Sequence, residues 1–179
     1  SSPDKLYEEP VNSFVAEFIG ENNTFSGQVT DISGGKCKVK LDTGAEIISN
    51  PIRVKSKGEK TKVSLRPERA IIDPEEKMDN KHKGKIEEII YHGDHARVRL
   101  NLLGNKEFIL KVPNSSARMD IKRGNEIKVG WNSHDARALD PKSIWDWFNQ
   151  KVLILNNNYP KSEVDLIFVN CCNKKIINV

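Results

Sequence analysis

The sequence contains little cysteine and few aromatic residues, and it has no long apolar run. Its three cysteines, Cys37, Cys171 and Cys172, form neither a disulfide framework nor the spacing of a metal site, which is typical of a reducing compartment. No run approaches the roughly 20 apolar residues that a membrane-spanning helix needs. Lysine and arginine outnumber aspartate and glutamate by only 29 to 25, an excess too small to indicate nucleic-acid binding by itself.

The residues required for nucleotide hydrolysis are also missing. The sequence contains no Gly-x-x-x-x-Gly-Lys-Ser/Thr loop to hold phosphates and no strand-borne aspartate for magnesium. No nucleophile lies beside a general base, and Cys37 falls within a predicted strand, where a small buried residue is expected. The sequence therefore predicts no catalytic residue, no cofactor site and no metal site in this chain.

Two short helices are predicted before residue 22. Ser2-Pro3-Asp4 has the residues of a helix start, with proline in the first turn and an acid near the positive end of the dipole. A second helix is predicted over Ser13–Ile19, ending at Gly20, with apolar residues at helical spacing: Phe14, Val15, Phe18 and Ile19. We expect this face to be displaced, packed on a neighbouring molecule, or lightly docked on the first lobe.

From Thr24 onward the chain contains two copies of a short β unit. Three blocks recur in the same order: SGQVTDI with KGKIEEI, CKVKLDTG with ARVRLNLLG, and KGEKTKVSLRPERAII with RGNEIKVGWNSHDARAL. This alignment makes Val63 equivalent to Val129 and Val39 equivalent to Val98. Alternating strands of this length predict small closed barrels, which leave no open sheet edge.

The predicted fold class is mainly β, with two OB-like barrel lobes preceded by two short α-helices; alternation by itself predicts small barrels and does not distinguish OB from SH3-like topology. The lobes are predicted over about 24–72 and 82–140, joined by the charged connector 73–83. Residues 142–179, rich in Asn, Lys and Ile, are a C-terminal extension of unknown role, either natural or an added hairpin.

The structural or interaction candidates belong to two turns and one strand end: Arg66, Pro67, Glu68, Tyr91, Gly93, Asp94 and Trp131. In the first turn, Pro67 cannot donate a ladder hydrogen bond and so ends or bends an edge strand, while its neighbours could form an ion pair. Trp131 is expected at a strand end beside the Gly93 turn, either filling the barrel core or stacking on a ligand.

The histidines are weak candidates for chemistry. The stretch His92-Gly-Asp-His95 could hold a metal, but Gly93 and Asp94 are typical turn residues and no further ligand lies nearby. His82 and His134 stand alone in polar stretches and are expected to be solvated.

Basic strands with nearby aromatic residues also occur in OB-fold proteins that bind single-stranded nucleic acid. Such binding requires several aromatic side chains on one face, and each copy of the repeat offers one or two. No direct nucleic-acid contact is therefore expected. A free-standing OB-type module that binds nucleic acid or a small ligand remains the alternative function.

The same residues resemble a known family over roughly Pro3–Pro141. PDKLYEEPVNSFVAEFIGENN resembles the junction that ends the nucleotide-binding domain in ATP-binding subunits of ABC importers. VSLRPERAII and GKIEEIIYHGDHARVRL resemble the TOBE (transport-associated OB) region that follows this junction, and IKVGWNSHDARAL is similar to the terminal strand of the spermidine/putrescine type.

This resemblance implies an accessory and regulatory role. Residues 1–22 would be the helical end of an absent nucleotide-binding domain, which would hold ATP and magnesium, and residues 23–141 would be the TOBE region. The implied partners are that domain, a second ATPase subunit in a homodimer, and the permease subunits. The resemblance further implies a bacterial protein on the cytoplasmic side of the inner membrane, held there through the transporter complex.

Overall fold

The computed structural model describes Ser13, Ala16 and residues 20–114 and 121–141. These residues contain ten β-strands and one short 3-10 turn, so the mainly β, barrel-type fold is confirmed. Both lobes belong to one compact unit. The predicted extension 142–179 and nearly all of the two predicted helices lie outside the described residues.

The first lobe is a closed five-stranded barrel with the order β1-β2-β3-β10-β4. Its strands are β1 (Asn23–Ser33), β2 (Lys36–Leu41), β3 (Glu46–Pro51), β4 (Lys60–Leu65) and β10 (Ala136–Leu139). In β2 each lysine is exposed, and the alternate residues Cys37, Val39 and Leu41 are buried. This period of two is the reason that one face of the strand fills the barrel.

The second lobe is a five-stranded sheet with the order β5-β9-β6-β7-β8. The prediction of a closed barrel is wrong for this lobe, because among the described residues β5 pairs with β9 and not with β8. Its strands are β5 (Ile71–Ile72), β6 (Asn80–Tyr91), β7 (His95–Leu102), β8 (Asn105–Pro113) and β9 (Glu126–Trp131). The 3-10 turn Pro67–Arg69 precedes β5 and contacts β8.

The predicted repeat is confirmed by the strand pairings. In the first half, β1 pairs with β2 and β4, and β2 pairs with β3; in the second, β6 pairs with β7 and β9, and β7 pairs with β8. The fifth strand of each half crosses over, because β5 pairs with β9 and β10 pairs with β4. Each lobe is thus completed by a strand from the other half of the sequence.

The registers define which residues are equivalent in the two halves. Gly27 lies opposite Thr61 in the first half, and Gly84 lies opposite Ile127 in the second. Two residues further along, Val63 and Val129 occupy equivalent positions, and both are fully buried. This part of the predicted alignment is correct.

The predicted equivalence of Val39 and Val98 is wrong by two residues. Val39 pairs with Val29, and the matching pair in the second half is Leu100 with Ile86. The likeness of CKVKL to ARVRL favours the wrong pairing, whereas the registers match residues 37–41 with residues 98–102. The loop between β2 and β3 spans residues 42–45, whereas only Leu103 and Gly104 separate β7 from β8. A shift of two residues keeps the same face inward, which is why both valines are buried.

Of the second predicted helix, only Ser13 and Ala16 are described. Both are helical and buried, with 2% and 1% of their surface exposed. The backbone N–H of Ser13 donates a hydrogen bond to Asp140 Oδ1 at 3.1 Å. At this point the segment contacts the end of the first lobe; Phe14, Val15, Phe18 and Ile19 lie outside the described residues.

Candidate functional site

The lobes are joined by two asparagine side chains at equivalent positions, Asn23 at the start of β1 and Asn80 at the start of β6. Asn80 Oδ1 accepts from the N–H of Ile48 at 2.7 Å, and its Nδ2 donates to the C=O of Ile48 at 2.8 Å. Asn23 makes the same two bonds, also at 2.7 and 2.8 Å, with Ile109 in the second lobe. Each side-chain amide thus bonds both backbone groups of one isoleucine, as a residue of a neighbouring strand would.

Both asparagines are almost fully buried, with 1% and 3% of their surface exposed. The sequence analysis missed them, although the registers of β1 and β6 place them at the same point of the repeat. Backbone groups that are removed from water require partners. Asn80 therefore holds β3 of the first lobe against the second lobe, and Asn23 holds β8 of the second lobe against the first. We call these two contacts the asparagine clamps.

Aromatic rings fill the space between the lobes. Trp131 is fully buried, and its ring centroid lies 6.3 Å from that of Phe25 and 6.2 Å from that of Phe108. Of the two roles considered for Trp131, the structure shows core filling, in the space between the lobes. Its predicted place beside Gly93 is wrong, because the antiparallel register sets Trp131 opposite Asn80, at the other end of β6.

His82 is not fully solvated as expected: it is partly buried, and its ring lies 5.4 Å from that of Trp131. Burial lowers the pKa of His82 below its ordinary value of 6.5. Within the described residues, His82 Nε2 and Trp131 Nε1 are buried without a hydrogen-bond partner. The repeat makes His82 the equivalent of Phe25, and this alignment was the signal in the sequence that it faces the core.

A polar cleft of about 510 Å³ opens where the lobes meet. It is lined by the β1–β2 turn, the end of β3, the connector before β6 and the turn after β9: Gly34, Gly35, Lys36, Asn50, Asp79, Asn132, Ser133 and His134. Lys36 Nζ lies 2.7 Å from Asp79 Oδ1, and the N–H of Ser133 donates to Asp79 Oδ2 at 2.9 Å. The hydrogen bonds from Lys36 and Ser133 hold the pKa of Asp79 well below its ordinary value.

The equivalent place in the other half holds a different set of charges. Glu21 Oε1 accepts from Arg97 Nε at 2.8 Å, and Glu21 Oε2 lies 3.3 Å from Lys111 Nζ. Burial alone would raise the pKa of Glu21, but the bonds and charges of Arg97 and Lys111 outweigh it and lower the pKa. Arg66 Nη1 donates to the C=O of Glu21 at 3.1 Å.

Of the predicted Arg66-Pro67-Glu68 group, Arg66 and Pro67 are buried and Glu68 is exposed. The strand β4 ends at Leu65, and Pro67 begins the 3-10 turn that follows. The strand is not an edge strand as expected, because β10 crosses from the other half and pairs with it. By register, this turn is the counterpart of the Asn132–His134 wall of the cleft.

The predicted turn at Gly93 and Asp94 is correct, since β6 ends at Tyr91 and β7 begins at His95. Asp94 Oδ1 lies 2.7 Å from His95 Nδ1, and this bond lowers the pKa of Asp94. Asn114 Nδ2 donates to the C=O of Gly93 at 2.9 Å and ties the turn to the end of β8. Tyr91 is 69% exposed, so these residues do not converge with Trp131 on one site.

Metal-ligand clusters and membrane-spanning helices are both absent from residues 20–114 and 121–141 with Ser13 and Ala16. Among these residues, no group of three or more His, Cys, Asp or Glu side chains could hold a metal ion. The same part of the chain contains no helix with the length and apolar character needed to cross a bilayer.

Comparison with known proteins relates the lobes to one family. Residues 63–139 match the TOBE domain model. The spermidine/putrescine import ATP-binding protein PotA of Trichodesmium erythraeum is 29% identical over 146 residues, covering 77% of this chain and 38% of the relative. PotA of Fusobacterium nucleatum is 32% identical over 142 residues, covering 75% of this chain and 37% of the relative. The chain thus spans well under half the length of these relatives.

A solved structure has a similar fold. The cytoplasmic molybdate-binding protein ModG, determined with molybdate bound, matches with a TM-score of 0.61 over 69% of this chain and 99% of that chain. The identity is 17%, so this likeness concerns the fold alone.

Proposed function

Because this chain contains a TOBE domain and is homologous to the C-terminal part of ABC-importer ATP-binding subunits, we propose that it is the accessory region of such a subunit. The proposed importer takes up polyamines of the spermidine/putrescine type. The single observation that carries this proposal is the similarity to PotA over 77% of the chain, which spans both lobes.

In this proposal the lobes carry no catalysis of their own. ATP and magnesium bind to the nucleotide-binding domain of the same subunit, for which this sequence offers no phosphate loop. The lobes support pairing of two ATPase subunits and tune their activity, on the cytoplasmic face of the inner membrane and next to the permease subunits. Two lobes locked by exchanged strands and asparagine clamps provide a rigid body suited to that contact.

The gene offers a direct test of this assignment. The coding sequence upstream of Ser1 is expected to encode, in frame, a phosphate loop followed by a strand-borne aspartate. The purified chain itself should show no ATP turnover above a blank. An upstream sequence without a phosphate loop, or turnover that disappears when a residue of this chain is mutated, contradicts the proposal.

A second candidate function, binding of a small anion, is favoured by the cleft between the lobes. Hydrogen-bond donors of Lys36, Asn50 and Ser133 line this cleft. The ammonium group of Lys36 is already paired with Asp79. ModG, which shares the fold, was solved with molybdate bound. Calorimetric titration with molybdate, and with sulfate as the comparison, tests this candidate. Saturable binding that is lost in Lys36→Gln supports it, and the absence of heat at millimolar anion refutes it.

The nucleic-acid alternative has no comparable support. Among the described residues, Phe25, Phe108 and Trp131 are buried, and Tyr91 is an isolated exposed aromatic side chain. Stacking of successive bases requires several exposed rings on one face. We therefore do not extend the proposal to nucleic acid.

A further inference from the structure

The chain enters the first lobe through Gly20, Glu21 and Asn22, yet the strongest contacts of Glu21 are with the second lobe. Arg97 lies on β7 and Lys111 on the neighbouring strand β8, directly opposite each other in the register. Both cations reach the Glu21 carboxylate, at 2.8 and 3.3 Å. The incoming segment is thus bound to the lobe that it does not enter.

Three further hydrogen bonds hold the same segment. Arg66 Nη1 donates to the C=O of Glu21, and Ser64 Oγ donates to Asn22 Oδ1 at 3.0 Å. Upstream, Ser13 is bonded to Asp140. All of these attach the segment to β4 or to the end of β10, and therefore to the first lobe or its border. Only the Glu21 carboxylate connects the segment to β7 and β8 of the second lobe, as far as the described residues show.

The other half of the repeat contains a related arrangement with one cation instead of two. Lys36 and Asn50 are the equivalents of Arg97 and Lys111, so the second half has two cations where the first has one. Asp79, which precedes β6, forms an ion pair with Lys36 and also accepts a hydrogen bond from the backbone N–H of Ser133. In both halves an acid just before the first long strand binds the second strand of the other half.

We propose that Glu21, Arg97 and Lys111 form an ion-pair latch that couples the incoming segment to the second lobe. Gly20, whose φ is +72°, lies immediately before the latch, in a backbone conformation that residues with a side chain rarely adopt. If the proposed function is correct, the incoming segment is the covalent link to the nucleotide-binding domain. Movement of that domain then acts directly on β7 and β8 of the second lobe while the latch is closed, and reaches them only through the first lobe when it is open.

The latch differs from an ordinary surface ion pair in its burial and its number of partners. The side chains of Arg97, Lys111 and Glu21 are 24%, 29% and 38% exposed, and each carboxylate oxygen has its own cation. Two cations on one partly buried carboxylate hold it more firmly than one exposed cation would, and the pairs still contact enough solvent to be screened at 1 M salt, where the Debye length is about 3 Å. The pKa of Glu21, lowered despite its burial, agrees with this geometry.

Hydrogen exchange on the full chain tests the latch. Glu21→Gln keeps the shape of the side chain and removes its charge, and Glu76→Gln, at an exposed connector position, is the matched control. We expect exchange in peptides spanning residues 13–25 to be roughly three- to tenfold faster in Glu21→Gln and unchanged in Glu76→Gln. The double variant Arg97→Gln, Lys111→Gln should reproduce the effect without adding to that of Glu21→Gln.

Salt provides a second test, in which the unmodified chain and Glu21→Gln are compared. In 1 M NaCl, exchange in the same peptides of the unmodified chain should accelerate, and Glu21→Gln should show no further acceleration. Equal exchange in Glu21→Gln and the unmodified chain, or an equal salt response in both, overturns the latch. That result would leave the proposed function intact, because the upstream coding sequence and ATP turnover test the function separately.

Discussion

Removal of one asparagine clamp should destabilise the whole two-lobe body. In Asn80→Ala, the N–H and C=O of Ile48 lose the partners that they now have at 2.7 and 2.8 Å. Each buried polar group left unpaired costs about 1–3 kcal/mol. Because Ile48 is only half-buried, water recovers part of that loss, and we expect about 2–4 kcal/mol in total.

This loss is large relative to the stability of a domain, about 5–15 kcal/mol. It should lower the urea midpoint by roughly 1–2 M, given slopes of about 1–3 kcal/mol per molar urea. Unfolding is best followed by far-UV circular dichroism, since Trp145 and Trp147 of the C-terminal extension would add to the fluorescence of Trp131.

Asn23→Ala should be destabilising to a similar degree, because its bonds to Ile109 repeat those of Asn80. Asn101→Ala is the control, since Asn101 also lies on a strand, in β7, but is not part of either clamp. A loss below about 1 kcal/mol in Asn80→Ala, or a loss equal to that of Asn101→Ala, would refute the reasoning that the clamps hold the lobes together.

Three other perturbations have defined outcomes. The pKa of Asp79 is below its ordinary value of 3.8, so the stabilisation from its carboxylate is complete above that pH and is lost as the pH falls through the folded pKa. The difference in Tm between the unmodified chain and Asp79→Asn should therefore shrink below about pH 4. A constant difference would contradict this. The pKa of His82 is lowered from 6.5, so its contribution to stability falls as the pH drops from above 6.5 toward the folded pKa. The variant His82→Phe places at this position the residue found at the equivalent Phe25, and it should reduce the fall in Tm between about pH 7 and pH 5. An unchanged pH profile would show that His82 is not buried as neutral imidazole. A Cβ at Gly27 would lie 2.4 Å from the backbone oxygen of Lys40, whereas one at Gly93 would meet nothing within 4 Å. In urea unfolding, Gly27→Ala should lower the free energy of unfolding by about 1–3 kcal/mol and Gly93→Ala should leave it nearly unchanged. Equal losses of stability would be inconsistent with the tight β1–β2 contact.

Much of the fold was predictable because alternation and repetition are local properties of the chain. Strands such as KCKVKL alternate lysine with buried residues, and the order of three repeated blocks predicted two equivalent halves. The exchange of the fifth strands was not predictable in this way. The strand β5 contains only Ile71 and Ile72 and β10 only four residues, and the sequence of such short strands does not specify which lobe they join.

The candidate site was predicted less completely, for the same reason. The turn at Gly93 was identified from its turn residues, but the contacts between the lobes involve residues distant in sequence. Asn23 and Asn80 have no distinctive local pattern, and their role depends on Ile109 and Ile48. The burial of His82 could have been predicted from the sequence, since the repeat aligns His82 with Phe25. A lone histidine in a polar stretch does not by itself indicate burial.

Transport by the importer subunit that we propose for this chain tests the central claim most directly. Cells that lack their own spermidine importer ATPase should receive either the whole subunit or a form without residues 20–141, and the uptake of labelled spermidine should be measured at matched expression. The account predicts that the whole subunit restores spermidine uptake and that the shortened form loses most of it or loses its regulation, while still binding ATP. Equal, normally regulated uptake with both forms, or no uptake of spermidine with the whole subunit, would contradict it.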